Sequence, residues 1–279
     1  MNSKGASGIQ WPSFRGQAQL AGTTSSGRVT VYVDPTLGQP GQQNAQDLLA
    51  DADRVVHAND QFFETSTGSV NVIIFALGGV TDGTGGADHM GCDYVIGNNI
   101  EVCAAFGNSM RVSALFEAEL SECNMGGNLC GVSTGEALSR WCAASVSNNA
   151  LGDFATAPTW FNDGAPDFVS KTDPTDRGAD STVCGMAFIS WLLSQKIALG
   201  TIARELVVLG AAGTFAELYG NVTDNDPKAA WPTFISAVQG LKGGVTSDDP
   251  FGAITSVQTA LAALRPASHR LQPPWRQGR

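Results

Sequence analysis

Strand-like and helix-like patterns occupy separate parts of this chain, and that separation limits its possible folds more than any other feature. Residues 28–33 (RVTVYV) alternate as a half-buried strand does, and 69–77 (SVNVIIFAL) is an apolar, β-branched run. Residues 99–105 (NIEVCAA) read as a further short strand. One helical pattern lies among them, at 43–57, with Ala45, Leu48, Leu49, Ala52 and Val56 on one face. Beyond it only helical spacing recurs, at 110–123, 135–145, 182–194, 199–209 and 229–241. Strands first and helices after is an α+β order, not an alternating βαβ one. The expected architecture is a small mixed sheet packed on a mostly helical C-terminal half.

The 279 residues are enough to bury a substantial core as one domain, expected over 28–264. Residues 1–27 are rich in Gly, Ser, Gln and Thr and read as a flexible arm. Residues 265–279, with Pro266, Pro273 and Pro274, read as a disordered tail foreign in composition to the body. No apolar run approaches the ~20 residues that span a bilayer. Residues 29–264 hold nine basic and twenty-six acidic side chains, a net −17. Such a domain repels phosphate backbones and anionic lipid, so neither nucleic acid nor a membrane is an expected partner.

The six cysteines, Cys92, Cys103, Cys123, Cys130, Cys142 and Cys184, contain no CxxC pair. An even number suits disulfides, and proximity favours Cys92–Cys103, Cys123–Cys130 and Cys142–Cys184. That implies an oxidising compartment, hence a secreted or periplasmic protein. The N-terminus has no apolar signal-peptide core, so an exported chain would have had its leader removed or replaced.

The segment 111–123 (RVSALFEAELSEC) carries the chemistry. At about 100° per residue, Val112, Leu115, Phe116, Leu120 and Cys123 form one apolar stripe. Glu119 falls within that stripe, Glu122 at its edge, and Glu117 on the opposite, polar side. A carboxylate in a buried stripe must be paired, protonated or bound to a cation. An ion pair with Arg140 is one such outcome, and an active-site acid is another. A second helix opens at 131–140 (GVSTGEALSR) with Glu136 in its first turn, a position that also suits the helix dipole.

A glutamate-bearing helix, a short excursion and a second helix opening with a Gly-Glu step resemble the gluzincin metallopeptidase core. In that family an HExxH helix supplies two zinc ligands and a catalytic Glu, and a later Glu is the third ligand. The resemblance extends to a strand before the loop at 85–92, an edge strand at 99–105 and the helix at 180–195. It implies a zincin-like fold. Laid on HExxH, this chain reads Ala118, Glu119, Leu120, Ser121, Glu122. Only the catalytic position, Glu119, and the third-ligand position, Glu136, are matched. Zinc prefers nitrogen and sulfur donors, so a glutamate-only set would take a hard ion such as Ca²⁺ or none. No metal and no other cofactor is expected.

The GVSTG match to a serine nucleophile elbow lacks the preceding strand and, outside the tail's His269, a following histidine; it reads as a helix N-terminal turn. His89 lies in a Gly-rich loop that can face a cleft. Trp160, Asp176 and Asp180 lie in or beside an irregular acidic stretch at 146–181, where aromatic rings beside carboxylates suit sugar binding. The expectation is therefore a metal-independent hydrolase that cleaves glycosidic bonds in a small-molecule or oligosaccharide substrate. Glu119, Glu122 and Glu136 would be catalytic, and His89, Arg140, Trp160, Asp176 and Asp180 would bind substrate. The alternatives are a catalytically inactive, peptidase-like binding protein and a divergent metal-dependent peptidase.

Overall fold

A computed structural model describes residues 9–263 except 67, 80, 82–84, 90–98, 127, 128, 130, 155 and 176. The described residues form a mixed sheet backed by helices, an α+β arrangement. The strands are β1 (Gln19–Thr23), β2 (Val29–Val33), β3 (Val70–Phe75), β4 (Ala87–His89) and β5 (Asn99–Cys103). They lie in the order β1-β2-β3-β5-β4. The three central strands run parallel, and β1 and β4 close the two edges antiparallel. The segment expected at an edge, β5, is therefore interior, and the short β4 takes the edge beside it.

Parallel pairing of β2 and β3 needs a long crossover, and the helix α1 (Gly38–Phe63) provides it. The central strands are rich in Val and Ile because both faces of the sheet are covered. On one face α1 and α2 (Ser109–Asn124) bury Leu48, Val55, Val112, Leu115 and Phe116 against Val31, Val72 and Val102. Asn108 caps α2 by accepting from the Arg111 backbone N–H at 3.2 Å. The remaining helices are α3 (Ser133–Ser147), α4 (Ala157–Asn162), α5 (Ala179–Ser194), α6 (Leu199–Leu209), α7 (Phe215–Thr223), α8 (Ala230–Gln239) and α9 (Ala253–Ala263). Their shared core centres on α5, buried on almost every side, and on Trp141, Phe188 and Phe234. Gly185 lets α3 and α5 approach closely: a Cβ there would lie 2.5 Å from that of Ala137.

Residues 9–27 are held rather than loose. From Ile9 the chain crosses the other face of the sheet, where Trp11 packs edge-on to Tyr32 and Phe14 to Phe75. The polar anchor is Glu101 on β5, fully buried. It accepts from the backbone N–H of Ser13 at 2.9 Å and of Phe14 at 2.6 Å, and from Ser13 Oγ at 2.6 Å. The arm's extended run then becomes β1.

Cys142 and Cys184 are two buried thiols, not the disulfide expected between them. Burial pushes both thiols up, so neither is a ready nucleophile. The other two expected pairings involve Cys92 and Cys130, which lie outside the described residues. No helix among those described is long and apolar enough to cross a membrane.

The Glu101 anchor sets a measurable cost. Replacing Glu101 by Leu orphans three donors beneath an apolar cover. It should lower unfolding stability by roughly 2–4 kcal/mol in denaturant titrations. A change below about 0.5 kcal/mol, the range of ordinary surface substitutions, would mean that residues 9–16 do not brace the sheet.

Candidate active site

The helix α2 is surrounded. The sheet lies under it, α1 lies along one side and α3 along another. Arg111, Ser113, Glu117, Glu119 and Ser121 are consequently buried together with the apolar stripe. There is no polar side, and Glu117, expected to point to solvent, is the most buried acid of the helix. The hairpin is antiparallel: Arg111, near the start of α2, reaches the Ala150 carbonyl just beyond the end of α3, at 3.3 Å.

Each charge on this hairpin meets a different fate. Arg111 forms a forked pair with Asp153, 2.6 and 3.0 Å, and its Nη2 donates to the Gly85 carbonyl at 3.4 Å. Glu117 is enclosed, and neither of its oxygens has a hydrogen-bond partner. Burial pushes its carboxyl well above the ordinary glutamate range; Arg54 on α1 opposes that and Asp60 reinforces it. Arg54 itself is engaged by Asp51 at 2.6 Å and by the Val146 carbonyl at 3.0 Å. Glu117 thus holds its proton to higher pH than an exposed glutamate does.

Glu117 and Glu119 stand about 200° apart around the helix. With Glu117 on the side of Arg54 and Asp60, Glu119 faces away from α1. Glu119 and Glu136 are both buried, with 9% and 8% of their surface exposed, whereas Glu122 is half-buried. Glu136 occupies the first turn of α3, as expected. The Gly-Glu step has a steric origin: a Cβ on Gly135 would lie 2.2 Å from the Leu129 carbonyl oxygen. Arg140, one turn along from Glu136, is its ion-pair partner at 3.6 Å. The predicted Arg140 pair thus forms with Glu136 instead of Glu119.

Phe154 ties this side of the hairpin together. The guanidinium carbons of Arg111 and Arg140 each lie 4.8 Å from the centre of its ring. Neither Phe154 nor Asp153 is marked by the sequence, because both reach Arg111 through contacts across more than forty residues. The start of α3 is fixed from the other direction. Ser133 N–H donates to the Asp173 carbonyl, and Asp173 N–H donates to Ser133 Oγ, each at 3.0 Å. The GVSTG serine is thereby occupied as part of a helix N-terminal turn.

Trp160 is corrected from sugar platform to core residue. It is fully buried, stacks on Phe234, and its Nε1 donates to the Pro166 carbonyl at 2.9 Å. Asp180 sits in the first turn of α5, where it complements the helix dipole. Asp176 and the side chain of His89 lie outside the described residues. Among the described residues no three carboxylate, imidazole or thiol groups come together to hold a metal ion. Ala118 and Glu122, at the positions of the ligand histidines, do not supply the donors zinc prefers.

The buried acid of α2 has a signature in stability. The unfolded chain ionises Glu117 in the ordinary range, while the folded one holds its proton to higher pH. Stability is therefore full at low pH and falls as pH rises from the ordinary carboxylate range toward the raised folded value. Glu117→Met should remove that slope and stabilise the protein at neutral pH by about 1–3 kcal/mol, the cost of an unsatisfied buried polar group. Thermal unfolding of both proteins between mildly acidic and alkaline pH checks this. An unchanged slope in the variant would show that Glu117 is not the buried acid.

Among known proteins, no family model matches this chain, and no curated protein matches it.

Proposed function

We propose that this protein is a hydrolase with a carboxylate-only active site, built on a zincin-like scaffold, that cleaves glycosidic bonds. The observation that carries the reading is the burial of two glutamates, Glu119 and Glu136, on helices that pack on one another, Glu136 beside the Arg140 guanidinium. Glycoside hydrolysis needs one protonated and one ionised carboxyl group. Glu119, on a helix buried all round, takes the part of the acid. Glu136 has Arg140 beside it, and a neighbouring cation favours the charged form.

In this scheme Glu119 protonates the leaving oxygen, and Glu136 acts as nucleophile or as the base that activates water. Glu122, half-buried one turn from Glu119, is the second choice for that role. The zincin-like part of the proposal draws support from α2 crossing the sheet beside the short antiparallel edge strand β4, and from the Gly-Glu opening of α3. Secretion or a periplasmic location belongs to the same proposal and rests on cysteine number alone.

The test is hydrolysis of activated aryl glycosides across pH. The expected profile is bell-shaped with its optimum on the acidic side of neutral. Glu119→Gln is nearly isosteric and loses only the titratable proton, so it should lower turnover on the order of a hundredfold or more. Full activity in Glu119→Gln, Glu122→Gln and Glu136→Gln alike would refute the carboxylate mechanism. Absence of hydrolysis together with tight binding of a glycan or peptide would favour the inactive, peptidase-like binding protein.

A further inference from the structure

The guanidinium of Arg140 is held in place but not used up. Its face lies over Phe154, with Cζ 4.8 Å from the ring centre. Its N–H groups all lie in the guanidinium plane, so stacking leaves them free to bond. Among the described residues they make no hydrogen bond: the nearest carboxylate oxygen, on Glu136, stands at 3.6 Å. The side chain is 21% exposed, so it is reachable from solvent. Arg111, which shares the same ring, is the contrast. Its side chain is 5% exposed, and its fork is filled by Asp153 at 2.6 and 3.0 Å. The ring thus carries one guanidinium whose two terminal nitrogens are taken by a carboxylate and one whose nitrogens hold no hydrogen bond among the described residues.

We propose that Arg140 is the receptor for a carboxylate on the substrate, so that the glycoside cleaved here bears an acidic sugar of the uronic type. A planar two-oxygen anion is the group that matches a guanidinium edge, through two parallel charge-assisted hydrogen bonds. Glu136 is the adjacent reacting carboxyl in the reading above, so an acid group bound by Arg140 sits one helical turn from the chemistry. The surrounding net charge of −17 repels a long polyanion, which favours a short glycoside with a single acidic unit over an acidic polymer. This inference names the substrate class of the proposed glycosidase and rests on that reading.

The experiment has a binding arm and a turnover arm, both on the full chain. Free glucuronate and glucose differ by a carboxylate in place of a hydroxymethyl group. Calorimetric titration should show glucuronate binding on the order of 10- to 100-fold more tightly, the worth of a charge-assisted hydrogen-bonded pair. Arg140→Met keeps the apolar stem over Phe154 and should bring the ratio to about one. Arg140→Lys, a point charge without the fork, should recover only part of it. Equal binding of the two sugars by the wild type, or a preference that survives Arg140→Met, overturns the proposal whatever turnover shows. In the turnover arm, both anomers of para-nitrophenyl glucuronide are compared with the matching glucosides. Preferential cleavage of a glucuronide supports both readings, and equal cleavage of glucoside and glucuronide overturns the acidic-sugar inference alone. Selective glucuronate binding with no cleavage of any glycoside overturns the hydrolase and leaves Arg140 as a carboxylate receptor.

Discussion

The structure turns on a helix that carries charges where there is no water to receive them. With the sheet beneath it and α1 and α3 alongside, α2 must neutralise, pair or use every ionisable group it brings inside. Arg111 is paired with Asp153 and folds the end of α3 back onto the start of α2. Glu117 is enclosed with two unpartnered oxygens, and burial raises its carboxyl well above the ordinary glutamate range. Glu119 lies on the side away from α1, toward which the proposed chemistry is assigned. The same constraint acts on the sheet, where buried Glu101 is tolerated because residues 13 and 14 surround it with donors.

The elements that were legible are those whose burial contrasts along the chain. The helix α6 begins and ends where its spacing places it, and β2, β3 and β5 lie within the β-branched runs that announce them. The apolar stripe of α2 is buried residue for residue, yet Glu117 was assigned to solvent. Periodicity detects the difference between two faces, and a helix enclosed on all sides offers no second face to detect. The strand β1 escaped notice because QLAGT has no alternation; as an edge strand it needs backbone pairing with β2 more than a buried face. The helix α7 was readable in principle. Thr214 and Glu217 form a capping box, and the T-x-x-E spacing is present in the sequence.

The site divides in the same way. The glutamates of the two helices were visible as charges set against apolar or helix-starting patterns, and both Glu119 and Glu136 are buried. What encloses them was not visible. Phe154, Asp153 and Asp173 belong to a stretch with no regular pattern, and their roles arise from contacts that only the folded chain makes. Trp160 illustrates the opposite error. An aromatic residue among acids has the composition of a sugar platform, but its ring is packed on Phe234 in the helical core. Residue type proposes a role there, and burial decides it.

The central claim is that α2 carries a carboxyl group, Glu117, in a closed space where burial holds its proton well above the ordinary glutamate range. Carboxyl-carbon NMR titration of glutamate-labelled protein measures this directly, with Glu117→Gln assigning the resonance. The expected result is a glutamate signal that remains in the protonated position after the exposed glutamates have ionised and that is lost in Glu117→Gln. Glutamates that all titrate together in the ordinary range would contradict it.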